Sequence, residues 1–264
     1  MPITAILFDM DETLVVDDAA AEEAMLATCQ RAAPQYGVEA TVLSDAVRRY
    51  ARELWRASPV HGYGRAMGIS SWEALWGRFL GDDPNITALR EWAPGYRREA
   101  WSWALVELGV RDTADAERWS AMFQQERRAR HRVFPDAEPC LMELKQHYRL
   151  ALLSNGAPDL QREKLEASGL GGYFETVVIS GEVGIGKPEP GIFLLVLERL
   201  GVSPQAAVMG GDSRARDIQG AQRAGIRAIW LNRTGVAPSD GVVPDAQIRS
   251  LAELSALLAG QEVN

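Results

Sequence analysis

Two kinds of apolar patterning divide this chain. From Tyr148 onward, short aliphatic or β-branched runs alternate with segments of helical spacing. The runs are Arg149–Leu153, Thr176–Ile179, Ala206–Met209 and Ile226–Trp230. Between them, Leu160–Ser168, Gly191–Leu200 and Arg214–Ala224 read as helices. In the second of these, Phe193, Val196, Leu197 and Leu200 fall on one face. This alternation predicts β-α-β units and a parallel sheet, an α/β fold. Ile3–Phe8 predicts one more strand, but the next begins only at Arg149.

The intervening segment, from about Val16 to Arg132, has a different rhythm. Leu43, Val47, Tyr50 and Leu54 keep helical spacing, and no run reads as a strand. Pro59 to Gly68, with Gly62, Gly64 and Gly68, predicts a loop, and Pro84 and Pro94 predict further breaks. Trp55, Trp72, Trp76, Trp92, Trp101, Trp103 and Trp119 all lie in this segment. Trp72 and Trp76 are one turn apart, the spacing of packing residues. An all-helical insertion after the first strand is therefore expected, with Phe134-Pro135 marking the return. The α/β part would take residues 1–15 and 133–264, and the helical part 16–132.

Composition narrows the function classes. The chain has 264 residues, of which 47% are hydrophobic and 24% charged. That excludes a disordered chain and suits a core with one insertion. No stretch is apolar enough to span a bilayer. The N-terminal residues lack the basic start and cleavage site of a signal peptide. Cys29 and Cys140 lie far apart without metal-ligand spacing, so buried thiols in a reducing cytoplasm are expected. The net charge of −8, unrelieved by any basic cluster, argues against a nucleic-acid polymer as partner. A small phosphorylated molecule needs only local positive charge. A monomer or homodimer is expected.

Four polar clusters follow apolar strands, at the sheet edge where open α/β folds bind ligands. Asp9-Met-Asp11-Glu-Thr13 leaves the first strand with two carboxylates in alternation. Crowded carboxylates repel unless a cation holds them, and a hard divalent cation takes such oxygens. Ser154-Asn155-Gly156 offers a hydroxyl and backbone N–H groups for a phosphate oxygen. Lys187 is expected at the start of the helix that Pro188 and Pro190 open, where a cation opposes the helix dipole and suggests an anion to bind. Asp212 and Asp217, in Gly210-Gly-Asp212-Ser-Arg-Ala-Arg-Asp217, sit one turn apart and can face one spot. Each cluster alone also reads as an ordinary turn or helix cap.

Taken in order, Asp9-x-Asp11-x-Thr13, Ser154, Lys187-Pro and Gly-Asp212-Ser-x3-Asp217 resemble the four motifs of the haloacid dehalogenase-like hydrolases. Gly-Lys187-Pro-Glu-Pro-Gly-Ile-Phe193 and Asp217-Ile-Gln-Gly-Ala221 are similar to the text around those motifs. Glu12, where many members have glycine, is similar to the branch with 5′-nucleotidases and sugar-acid phosphatases. The resemblance implies a Rossmann-like core and a helical cap. It implies Asp9 as nucleophile and Asp11 as general acid and base. Mg²⁺ would be held by Asp9, the backbone carbonyl of Asp11 and Asp212. Ser154 and Lys187 would clamp the phosphoryl oxygens, with Asp217 holding Lys187 or a metal-bound water. Thr13 and Asn155 are implied substrate-binding residues.

Dehalogenases of the family use neither a second acid like Asp11 nor metal carboxylates, so the resemblance implies a phosphatase acting on a nucleotide or sugar phosphate. A phosphomutase would share these core residues, and a binding module on a dead core would lack one of them. In the insertion, Tyr63 and Arg65 are candidate substrate contacts, because the flanking glycines permit close approach and Arg65 suits a second anionic group.

Overall fold

The computed structural model describes residues 2–237 and 241–259. Residues 1, 238–240 and 260–264 of the expected α/β range lie outside them. The chain forms two compact units: residues 1–16, 132–155 and 161–264 in one, and residues 17–131 and 156–160 in the other.

The first unit is α/β. Its strands are β1 (Ala5–Phe8), β2 (Arg149–Ser154), β3 (Thr176–Ile179), β4 (Ala207–Gly211), β5 (Arg227–Leu231) and β6 (Ala246–Ile248). They form one sheet in the order β3-β2-β1-β4-β5-β6, every pair parallel. The near-continuous apolar runs follow from burial on both faces. Ile6, Phe8, Leu150, Leu152, Val208 and Ile229 point to one core, and Ala5, Leu7, Ala151, Leu153, Met209 and Ala228 to the other. That is the period of two of a strand read on two faces at once. β6 is missing from the apolar pattern because three edge residues with one buried side chain leave no run to read.

The second unit is helical: α1 (Asp18–Tyr36), α2 (Ala40–Ala57), α3 (His61–Met67), α4 (Ser71–Trp76), α5 (Pro84–Glu107) and α6 (Ala116–Arg128). Its core holds Trp55, Trp76, Trp101 and Trp119, with Trp72 and Trp92 packed partly buried against it. The tryptophans thus chiefly join helices, and Trp103 is the exposed exception.

Two expectations here are corrected. Pro59 to Gly68 is not a loop but contains α3. Gly64 lies within this helix, and a Cβ there would come within 2.4 Å of the Trp55 ring, so this glycine serves close packing. Pro94 does not break α5 either. Its ring is on the exposed side of the helix, which continues through it to Glu107. Pro84 does mark a start, with Asp83 capping the N–H groups of Asn85 and Ile86 at 2.8 and 3.2 Å.

The remaining helices are α7 (Ala137–Leu144), α8 (Pro158–Ser168), α9 (Ser180–Val183), α10 (Pro190–Leu200), α11 (Gln219–Arg223) and α12 (Leu254–Ala259). α7 and α12 cover one face of the sheet, α10 and α11 the other. The helix expected over Arg214–Ala224 opens with a wide π turn, Arg214–Ile218. The Ser213 carbonyl accepts from both Asp217 and Ile218 there, at 2.8 and 3.3 Å.

Candidate active site

The strand order reverses between β1 and β4, and the crevice beyond their carboxyl ends is where such sheets place ligands. Asp9 follows β1, its N–H bonded to the Gly210 carbonyl of β4 at 3.0 Å, and Asp212 follows β4. Asp217 returns to the same spot because the wide turn folds its side chain back. Gly211 makes the room, since a Cβ there would lie 2.4 Å from Asp217 Oδ2.

Lys187 closes this cluster. Its Nζ lies 2.6 Å from Asp9 Oδ1 and 2.7 Å from Asp217 Oδ1. The Asp217 carboxylate is wholly buried, and its other oxygen accepts the Ser213 N–H at 2.9 Å. Burial alone would lower the Lys187 pKa, but the charges of Asp217 and Asp9 more than offset this and hold it above the ordinary lysine range. α10 starts only at Pro190, so the lysine lies before the helix, and the anions it faces belong to the protein.

One ammonium does not neutralise three carboxylates. Asp9, Asp212 and Asp217 each offer an oxygen within 4.8 Å of the others. Burial, together with the charges of Asp9 and Asp217, pushes the Asp212 pKa up to about 9. Burial and the Asp9 charge push Asp217 up to about 6 despite Lys187. Crowded hard oxygens that resist ionising without a further cation fit a divalent metal ion. Because Lys187 and Ser213 engage both oxygens of Asp217, Asp9 and Asp212 are the better-placed ligands.

The second motif holds the third. Asn155 Oδ1 accepts the Lys187 N–H at 2.8 Å, and its Nδ2 donates to the Lys187 carbonyl at 2.9 Å. Each end of this amide therefore engages the lysine backbone. Gly220 helps in another way: a Cβ there would come 2.5 Å from Phe193 and 3.0 Å from the Pro188 Cα, so α11 packs tightly on the Lys187 loop. Ser154 ends β2, buried, with a long 3.5 Å contact from its hydroxyl to the Asn155 carbonyl. Thr13 is fully buried. Its hydroxyl accepts the Asp212 N–H at 3.2 Å, and its carbonyl accepts from Arg233 at 2.8 Å, which brackets the two aspartate loops together. Arg233 is in turn held bidentately by Asp136, at 2.9 Å to each oxygen.

Asp11 stands apart from the carboxylate cluster. The turn after β1 lifts it away, with Glu12 at φ +57°, a conformation that suits glycine. Both Asp11 oxygens lie 3.0 Å from Lys164 Nζ, and Gln161 Nε2 is 3.1 Å from Oδ2. Neither Lys164 nor Gln161 stood out by motif. Their signal is a lysine four residues after Leu160 and next to Leu165, where the helical stripe calls for an apolar residue. Tyr63 and Arg65 both lie on α3 of the helical unit, Tyr63 half-buried and Arg65 exposed.

Comparison with known proteins places the chain in a family. Residues 3–225 match the family model described as "Hydrolase: haloacid dehalogenase-like hydrolase". The chain is 39% identical to a phosphoserine phosphatase of Thermus thermophilus, covering 94% of this chain and 96% of that protein. It is 31% identical to the human N-acylneuraminate-9-phosphatase, covering 97% and 94%. A crystal structure of a 2-haloacid dehalogenase from Pseudomonas syringae superimposes with a TM-score of 0.61 at 29% identity, covering 98% and 99%. With a family model spanning most of its length and phosphatases matching it end to end, this chain belongs to the haloacid dehalogenase-like hydrolases and is a phosphoric monoester hydrolase among them.

Proposed function

We propose that the protein is a Mg²⁺-dependent phosphatase of a small phosphorylated metabolite, working through an aspartyl phosphate on Asp9. The observation that carries this reading is the surplus of carboxylate. Asp9, Asp212 and Asp217 share one ammonium, a set that a dehalogenase, attacking a neutral C–halogen bond, has no use for.

In this reading an Asp9 oxygen attacks phosphorus and the ester P–O bond breaks. Asp11 gives its proton to the leaving alkoxide, then takes one from the water that attacks the aspartyl phosphate. Inorganic phosphate leaves and Asp9 is restored. Lys187 and the Ser154 hydroxyl stabilise charge on the transferring oxygens, while Asp217 and Asn155 hold Lys187 in place. A bound Mg²⁺, held by Asp9, the Asp11 backbone carbonyl and Asp212, supplies the positive charge that lets a carboxylate approach a phosphate dianion.

The helical unit serves in this reading as a cap that selects the substrate. A nucleotide or sugar phosphate remains the expected class. Phosphoserine and N-acylneuraminate 9-phosphate, named for the relatives, each pair a phosphate ester with a carboxylate, and Arg65 suits such a second anion. Small carboxylated phosphates therefore come first in a panel with nucleotides and sugar phosphates, assayed for phosphate release with Mg²⁺. Asp9→Asn keeps the shape and removes the nucleophile. The expected result is folded protein with turnover reduced by roughly 10³-fold or more on every substrate. Turnover of p-nitrophenyl phosphate near the parent rate would overturn the assignment. No member of the panel hydrolysed, with 2-chloropropionate dehalogenated instead, would restore the dehalogenase reading.

A further inference from the structure

We propose that Lys164, assisted by Gln161, is the positioning residue for the acid/base carboxylate of Asp11. This rests on the reading of Asp11 given above. Lys164 is 1% exposed, and a buried ammonium is costly unless a charge faces it. Its Nζ sits symmetrically, 3.0 Å from each Asp11 oxygen. Gln161, one turn earlier on α8, is fully buried and adds a 3.1 Å hydrogen bond to Oδ2.

Two donors on successive turns of one helix thus set the carboxylate's plane as well as its place. Gln161 Nε2 also reaches the Asn155 carbonyl at 2.7 Å. Asn155 in turn grips the Lys187 backbone. The acid/base group and the ammonium beside the nucleophile are therefore referenced to one short segment, Asn155 to Lys164.

When it carries a proton, as the transfer step requires, Asp11 gives it to a leaving oxygen only where that oxygen needs one, and the carboxylate left behind is the form that Lys164 holds. Losing the hold should therefore hurt in proportion to the basicity of the leaving group, which a merely structural ion pair would not do. The test is kcat/KM, which reports the transfer step, for an alkyl phosphate and for 2,4-dinitrophenyl phosphate, whose phenolate leaves unprotonated. For Lys164→Met the expected loss is about 10- to 100-fold on the alkyl ester, the scale of misplaced catalytic groups, and no more than about 3-fold on the dinitrophenyl ester. Lys164→Arg, which keeps charge and donors, should recover most of it. Retained dinitrophenyl turnover shows that fold and nucleophile are intact.

Should Lys164→Met fail to fold, Gln161→Leu carries the same test, since it removes one hold and leaves no unpaired lysine. Equal losses on both esters, or none on either, would overturn the proposal. Asp11→Asn on the same pair separates the two ideas. If it shows no leaving-group dependence, the acid/base reading of Asp11 falls. If it does and the Lys164 and Gln161 variants do not, only the positioning role falls.

Discussion

Gly211 shows how a single missing Cβ shapes the site. An added methyl there would meet three atoms of Asp217, at 2.4, 2.5 and 2.7 Å, and that carboxylate is short, buried and pinned at both oxygens. It cannot rotate aside without releasing Lys187. Gly211→Ala is therefore expected to cost about 1–3 kcal/mol of stability, as overpacking does. It should also lower kcat by roughly 10²-fold through the displaced lysine. Urea denaturation and steady-state kinetics on one preparation check both. A variant with normal kcat would show that the position of Asp217 does not govern Lys187. The two cysteines are unremarkable by comparison: burial, with Asp45 beside Cys29 and Asp136 beside Cys140, pushes each thiol up to about 12, so neither is a nucleophile near neutral pH.

At the scale of elements, α3 holds two glycines with opposite roles. Gly64 faces the Trp55 ring at a distance that excludes a methyl, whereas nothing lies within 4 Å of a Cβ on Gly62. Gly64→Ala should destabilise the protein by about 1–3 kcal/mol. Gly62→Ala should leave stability unchanged or raise it by up to about 1 kcal/mol, the helix propensity difference. Chemical denaturation of the two variants side by side decides. Equal effects would mean that Trp55 moves freely, contrary to its place in the core of the helical unit. α8 has a different role, presenting Lys164 and Gln161 to Asp11 from buried positions that packing alone would fill with leucine.

For the whole molecule, the acidic cluster is expected to link stability to pH and to a bound divalent cation. Asp212 and Asp217 have folded-state pKa values raised by burial and by neighbouring carboxylates. Raised values mean that the folded protein binds more protons than the unfolded chain. This contribution is fully present below the ordinary aspartate pKa, near pH 4, and is lost as pH rises through about 6 for Asp217 and about 9 for Asp212. EDTA-treated protein should therefore show a falling melting temperature between pH 5 and pH 9. Added Mg²⁺ should raise it, and by more at pH 8 than at pH 5, because the ion binds the deprotonated site. Turnover should vanish with EDTA, return with Mg²⁺ and not with Ca²⁺, whose looser coordination misplaces the attacking oxygen. A melting temperature indifferent to Mg²⁺ at both pH values would refute the metal site. Among the described residues no helix is long and apolar enough to cross a membrane.

By itself the sequence determined the kind of fold and the positions of its chemistry. Strands buried on both faces must read as apolar runs, and a strand's end is where the chain can turn polar. So Asp9, Ser154 and Asp212 were legible as strand tips, and their order pointed to the family. Only the tertiary structure decided which groups meet. Lys187 reaches Asp9 across 178 residues and Asp217 across 30, and Lys164 reaches Asp11 across 153. Such pairings depend on strand order and register, which local periodicity does not encode. The same holds for Asn155, whose amide the fold sets against the Lys187 backbone 32 residues away. It holds again for Gly64, since a glycine that admits a neighbouring ring and one that frees a loop are the same letter. Periodicity reports which side of an element is buried; what lies against that side is set by the rest of the chain.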